Sequence, residues 1–281
     1  MIAAPLFCLL TLAAAADPDV RVEQDLTYLG AGRAEKLDLY MPVKVDQGQR
    51  FPGIVIIHGG GWTGGTKRGA REQNIGTNLA KNGYVCISID YLLATQEKPT
   101  WPQNLHDCKT AVRWLRANAE KYRVDPDHIG VIGGSAGGHL ALMVGLAGPE
   151  TGLDPKDPHG TLSCQVQAVV DLYGPADLVH RGRDHVMLPG TWADRPDLYK
   201  QASPVSHARK GNPPVLILHG TKDATVPVEQ SQRMAEALKN AGVEHELVLV
   251  EGAPHSFHLE PKEKDLRPVV IEFFNEHLKS K

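Results

Sequence analysis

Unbroken apolar runs recur along the chain, separated by segments of helical length. Ile54-Val55-Ile56-Ile57 is the first, followed by Tyr84 to Ile89, His128 to Ile132 and Val215 to Leu218. Runs of this kind suit strands covered on both faces, as in a parallel sheet. Gln165 to Leu172 and Glu246 to Val250 are predicted as further strands. Between them, Gln103 to Tyr122 carries Leu105, Val112 and Leu115 at roughly helical spacing. Ala136 to Leu146 is small and apolar and predicts a buried helix. Glu229 to Asn240 is amphipathic and stops at Gly242, a common C-terminal signal, and Lys262 to Leu278 closes the chain. Strand alternating with helix predicts an α/β fold, a mostly parallel central sheet with helices on both faces. Ahead of the first run, Val20 to Met41 alternates, as in Leu37-Asp38-Leu39-Tyr40, and predicts an N-terminal antiparallel hairpin.

No internal repeat or low-complexity linker divides the chain, so residues 17–281 are expected to form a single domain. Segment 174–208 breaks the pattern. It holds Pro175, Pro189, Pro196 and Pro204 with little periodicity, and long irregular connections in compact domains are usually functional, so a lid or pocket-shaping loop is expected there. Residues 1–16 differ again. Leu6 to Leu12 form a short apolar core, and Ala14-Ala15-Ala16 precede Asp17, the pattern of a cleaved signal peptide, although no Lys or Arg stands in the n-region ahead of that core. The run is too short to anchor in a bilayer. A secreted or periplasmic protein is predicted, with no membrane span in the mature form.

Composition changes this picture little. With 42% hydrophobic and 22% charged residues the chain is ordinary for a globular domain. A net charge of -3 without long runs of one sign gives no electrostatic reason to expect nucleic acid or an anionic membrane as partner. Cys8 leaves with the signal, and Cys86, Cys108 and Cys164 cannot all pair. Buried thiols are expected at Cys86 and Cys108.

Gly133-Gly134-Ser135-Ala136-Gly137 follows an apolar strand and opens the small-residue helix. That context defines a nucleophile elbow, a turn so sharp that its neighbours must lack bulk, and it sets the Ser135 hydroxyl near a helix N-terminus. His58-Gly59-Gly60-Gly61-Trp62 follows the run ending at Ile57. Glycines leave N–H groups unshielded, and a tetrahedral intermediate needs such donors. Gly60, Gly61 and the N–H of Ala136 are the expected oxyanion hole. No Lys-Ser or Lys-Thr pair follows at phosphate-loop spacing.

A serine nucleophile needs a base, and the base an orienter. Among 13 histidines, His255 lies in a loop just after the last strand, third in the order serine, acid, histidine. His258, His139 and His219 are its rivals. Asp223, in the loop after Val215 to Leu218, is the expected acid, since the carboxyl ends of strands are where ligand-facing residues lie in an open α/β sheet. Asp171 and Asp177 compete with it, and a plain turn former is the bland alternative for Asp223. No HExxH-type spacing and no dinucleotide fingerprint is present, and neither metal nor cofactor is expected.

With these motifs in order, the sequence resembles the hormone-sensitive-lipase-like carboxylesterases of the α/β-hydrolase fold. It resembles more closely the small secreted feruloyl and acetyl esterases described as bifunctional. The match runs from about Leu37 to the C-terminus. Besides the two glycine motifs it rests on Ile89-Asp90-Tyr91, Trp101-Pro102 leading to Ala111-Val112-Arg113-Trp114-Leu115, Gly138-His139, His219-Gly220 and Val226-Pro227. Relatives often carry Asp-Tyr-Arg-Leu where this chain has Asp90-Tyr91-Leu92-Leu93, so a familiar arginine is absent. The larger relatives carry a long N-terminal cap, whereas about forty residues separate the signal from His58 here. The resemblance implies an open site acting on ester groups of polysaccharides, shaped by 174–208; Trp62 and Trp192 are candidates to line it, with core or surface packing the equal alternative for Trp192. An amidase or formamidase shares the histidine-glycine-glycine and tryptophan pattern, and a non-catalytic binding protein on a hydrolase scaffold is the alternative from another class.

Overall fold

A computed structural model describes residues 17–279; the expected signal segment, with Cys8, lies outside them. One eight-stranded sheet runs through the molecule in the order β1-β2-β4-β3-β5-β6-β7-β8. Its strands are β1 (Val20–Leu26), β2 (Leu37–Pro42), β3 (Phe51–Ile57), β4 (Val85–Ile89), β5 (Val124–Gly134), β6 (Ala168–Leu172), β7 (Val215–Gly220) and β8 (His245–Val250). β1 and β2 form the expected antiparallel hairpin, β2 joins β4 antiparallel, and every later pairing is parallel. Strands β3, β4, β6 and β7 are buried along their whole length and β5 from Ile129 to Gly134, which is why they read as unbroken apolar runs.

Alternation along the strands divides the core in two. Val55, Ile57, Val131, Val169 and Ile217 face α2 (Gln103–Ala117), α4 (Ala136–Leu146) and α6 (Glu229–Ala241). Ile54, Ile56, Ile132, Val170 and Leu216 face α1 (Ala70–Lys81) and α7 (Arg267–Leu278). α1 had no periodic signal. Its buried apolar side chains are few, and Gly76 interrupts it where a Cβ would lie 2.9 Å from the Tyr40 ring. The helix expected over 103–122 is broken at Asn118, whose side chain donates to the Trp114 carbonyl, and resumes as α3 (Ala119–Tyr122). α7 begins at Arg267, later than the expected start at Lys262, with Pro268 in its first turn.

Segment 174–208 packs against the domain. Ala176, Leu178, Met187, Leu188, Tyr199 and Ala202 are buried, Tyr199 within α5 (Pro196–Gln201) and Ala202 just after it. The Met187 carbonyl accepts from the N–H of Thr100 (3.0 Å) and Trp101 (2.8 Å), and Gln230 Oε1 accepts from Ala176 and Asp177 (3.0 and 2.9 Å). Residues 179–184 and 190–197 are its outward parts. Cys86, Cys108 and Cys164 are all free and buried, and burial pushes their thiols up, that of Cys164 to about 11.

Candidate active site

Strand register brings four loops to one edge of the sheet. Ile57 pairs with Gly133, Gly133 with Asp171, Leu172 with Leu218, and Gly220 with Val250. Parallel strands at a spacing of about 4.8 Å then deliver the chain after β3, β5, β7 and β8 to neighbouring points. Those four loops carry His58 to Trp62, Ser135, Asp223 and His255.

Ser135 sits between β5 and α4 at φ 58°, ψ -121°, a conformation a residue with a side chain holds only under constraint, at a cost of about 1–3 kcal/mol. The constraint is visible. The Ser135 N–H donates to the Leu172 carbonyl (2.8 Å), and its carbonyl accepts from His139 (3.0 Å). Glycine is required beside it: a Cβ at Gly133 would overlap the Gly137 carbonyl, and one at Gly137 would overlap the carbonyl oxygen of Ile57.

The His58 loop is pinned from the side. Tyr91 stacks on His58 at 4.3 Å and its hydroxyl donates to the His58 carbonyl (3.1 Å), while Asp90 accepts from the N–H (2.8 Å) and Nζ (3.0 Å) of Lys67. Gly60 (φ 109°) and Gly61 (φ 61°) take left-handed conformations. The Gly60 carbonyl accepts from Thr63 and Gly64 at 3.1 and 3.0 Å, turning it away from the cleft. Among the described residues nothing accepts a hydrogen bond from the N–H of Gly60, Gly61 or Ala136, and all three residues line one cleft with Ser135.

The structure brings Ser135, His255 and Asp223 together. His255 Nε2 lies 2.9 Å from Ser135 Oγ, and its Nδ1 lies 2.6 Å from Asp223 Oδ2. Asp223 Oδ1 accepts from the N–H of Thr225 and Val226, both at 2.8 Å. An acid so placed stays ionised: burial alone would raise its proton affinity, but His219, His255 and these two N–H groups hold the carboxyl well below the usual carboxylate range. With Asp223 as acceptor at Nδ1, the neutral imidazole of His255 carries its proton there and presents a lone pair to the serine.

The rivals are accounted for. His219, weighed as a base, is buried below the acid. Its Nε2 lies 2.9 Å from the Val226 carbonyl and 3.3 Å from Asp223 Oδ2, and its Nδ1 2.6 Å from Ser231 Oγ. It therefore supports the acid. His139 is fully buried between the Trp62 indole (3.3 Å) and the Ala202 carbonyl (2.8 Å), and burial pushes it down to about 4. His258 accepts from the N–H of Glu260 (3.2 Å). Asp177 is tied to Arg233 at 2.7 Å, and Asp171 lies beneath the elbow, accepting from Gly174 (2.8 Å). Trp62 lines the cleft. Trp192 does not: it is exposed, on a turn whose N–H is held by Asp184, so the expectation of a pocket residue there is corrected.

The cleft, of about 460 Å³, is also lined by residues that carried no motif: Arg71, Glu72, Arg181 and Arg183. Arg71 grips Glu72 (2.8 and 2.6 Å) and donates to the Tyr173 hydroxyl (3.1 Å), which in turn donates to the Phe257 carbonyl. The Tyr173 ring meets His255 edge-on at 4.9 Å, so this chain braces the histidine loop. The adjacent pair Arg71-Glu72 was the only sequence signal, on a helix that the periodicity did not show.

Sheet order, elbow and glycine loop together define the α/β-hydrolase fold. Solved structures agree. A truncated carbohydrate esterase from gut microbiota aligns with TM-score 0.83 at 27% identity, covering 92% of this chain and 97% of that one. Thermogutta terrifontis esterase 2, with propionate bound, aligns with TM-score 0.78 at 32% identity over 94% and 97%. Within that class the chain belongs to the BD-FAE family, whose model matches residues 37–238. Esterase LipQ of Mycobacterium tuberculosis is 34% identical over 227 residues, 78% of this chain but 53% of its own length. The chain spans about half the length of the curated relatives it matches.

Proposed function

We propose that this chain is a serine carboxylesterase that removes short-chain or aromatic acyl groups, acetyl or feruloyl, from plant polysaccharides. The observation that carries the reading is the unbroken chain from Ser135 Oγ through His255 to Asp223, beside three unused amide donors. The family and the carbohydrate esterase likeness support the polysaccharide side of it. The Thermogutta esterase, solved with propionate and also phosphorylated by paraoxon, supports a short acyl group and an activated nucleophile.

In this mechanism Ser135 Oγ attacks the ester carbonyl as its proton passes to His255 Nε2. The N–H groups of Gly60, Gly61 and Ala136 hold the resulting oxyanion. His255 then gives its proton to the departing alcohol, leaving an acyl-serine. Water then gives a proton to His255 and adds its oxygen to the acyl carbon. The bond from that carbon to Ser135 Oγ breaks, His255 returns the proton to the serine, and the free acid leaves. Asp223 stabilises the imidazolium in both halves. The signal-like pattern of residues 1–16 supports action outside the cytoplasm, secreted or periplasmic.

The test pairs labelling with turnover. A fluorophosphonate is expected to label wild-type protein at Ser135 and leave Ser135→Ala unlabelled, with p-nitrophenyl acetate hydrolysis lower by about 10⁴-fold or more. Near-normal hydrolysis by Ser135→Ala overturns the mechanism. A set of p-nitrophenyl esters beside methyl ferulate and acetylated xylan reads the substrate, and a preference for long acyl chains overturns the polysaccharide reading.

A further inference from the structure

Three arginines line the cleft, and they differ in how their charge is met. Arg71 is neutralised by Glu72 at 2.6 Å. Arg181 and Arg183 are not: among the described residues neither forms an ion pair, and the one hydrogen bond of the Arg181 side chain is a 3.3 Å donation to the Thr225 carbonyl. Among the acids nearby, Asp223 is engaged by His255 and His219, Asp177 by Arg233 and Glu229 by His180. Asp184, next to Arg183 in the chain, accepts from the Trp192 N–H on the turn outside the cleft. His185, a buried neighbour, stays neutral, pushed down to about 3 by its burial and by these two arginines. Burial, and then Arg183 beside it, bring Arg181 itself down to about 10.

Arg181 is half-buried and Arg183 exposed, and two like charges that line one cleft repel each other unless something anionic joins them. The chain as a whole carries a net charge of -3, so the cationic patch does not reflect a basic protein. A guanidinium pair offers planar, forked donors suited to a carboxylate. No such donor set is needed to hold an acetyl or a feruloyl group.

We propose that Arg181 and Arg183 form a carboxylate-binding subsite, so that the preferred substrate is an ester bearing a carboxylate near the bond that is cut. The proposal rests on the esterase reading and narrows it. The carboxylate has two possible sources: the acyl part, as in the half-ester of a dicarboxylic acid, or the alcohol part, as in an acetylated uronic acid. The arrangement predicts the shared chemistry, and the assay separates the sources.

Wild-type kcat/KM is measured on two matched pairs. On the acyl side, p-nitrophenyl hemisuccinate is set against p-nitrophenyl 4-methylpentanoate, which replaces the carboxylate with an isopropyl group. On the alcohol side, acetylated glucuronic acid is set against acetylated glucose. One charged member is expected to exceed its neutral partner by about tenfold, a typical effect of one charge-assisted pair. In Arg181→Gln and Arg183→Gln that ratio is expected to fall at least about fivefold, mainly through KM, and the Lys replacements restore part of it. Should a variant misfold, the wild-type ratio still answers. Screening predicts that it shrinks as salt rises from about 0.05 to 0.5 M. Ratios near one for both pairs, in enzyme that a fluorophosphonate labels and that hydrolyses the neutral esters, overturn the subsite and leave the esterase standing. A charged-ester preference that survives in both glutamine variants also overturns it. Absent labelling together with absent turnover of every ester overturns the esterase reading instead.

Discussion

The floor and the wall of the cleft are built on different principles. The floor is main chain: the elbow at Ser135 and the amides of Gly60, Gly61 and Ala136, placed by the register of β3 and β5. Its neighbours have no room for a Cβ, so its geometry is a consequence of core packing. The wall contributed by 174–208 is side chain. Buried anchors such as Met187 and Tyr199 fix the segment, and its outward residues carry Arg181 and Arg183 into the cleft. A substitution in the floor therefore disturbs folding and chemistry together, whereas one in the wall changes which substrate is taken.

The strongest way to break that contrast is Gly137→Ala. A Cβ there would overlap the carbonyl oxygen of Ile57 and lie 2.6 Å from that of His58. Both are main-chain atoms of the strand end that feeds the oxyanion loop, so neither can turn aside as a side chain would. A destabilisation of at least about 3 kcal/mol is expected in urea unfolding, with loss of fluorophosphonate labelling. In an unhindered helix the same change adds about 1 kcal/mol of stability. A melting point equal to or above that of the parent would show that α4 can move and that the floor is not set by packing.

This division also explains what was legible in the sequence. Floor residues write themselves as glycines in fixed order after apolar strands, because the steric demand falls on residue type. Asp223 and His255 were legible from chain order, their loops following β7 and β8. His219 was weighed only as a rival base, because a residue four positions before the acid looks the same in sequence whether it lies above the site or beneath it. Only the curl of the loop from Gly220 to Val226 sets its ring against Asp223 Oδ2. α1 escaped because its polar surface and Gly76 hide the period, and with it went Arg71 and Glu72. Arg181 and Arg183 sit in a segment without periodicity, where nothing in residue order says which side chains turn inward.

A second test probes beneath the floor. Asp171 is fully buried, with Oδ1 accepting from Gly174 (2.8 Å) and Oδ2 without a partner among the described residues. Burial raises its carboxyl to about 7, against the lowering influence of His219 and the Gly174 N–H. An unfolded aspartate titrates near 4, so between about pH 4 and 7 the folded state binds more protons than the unfolded one. Stability from this group is complete below about pH 4 and is lost as pH rises to about 7. Asp171→Asn removes that slope. Its stability relative to wild type is expected to improve by about 2–3 kcal/mol between pH 5 and pH 8, read from urea midpoints at each pH. A difference that does not change with pH would mean that the carboxyl is charged under the elbow, and that the floor tolerates a buried charge within its packing.

The smallest effect is expected where the wall no longer meets the cleft. Trp192 is 39% exposed and is not among the lining residues, and the 2.9 Å bond that fixes its turn runs from its own N–H to Asp184, which alanine keeps. Trp192→Ala is expected to leave stability within about 0.5 kcal/mol. It should leave relative rates across the acyl series within about twofold, because selectivity in this wall comes from the residues that line the cleft. Large aromatic side chains carry much of the energy of a contact wherever they make one. A shift in the acyl-length profile of fivefold or more in Trp192→Ala would therefore show substrate reaching beyond the cleft onto the turn at 190–197. The wall would then extend to the outer surface of the segment, and the two arginines would be only its inner edge.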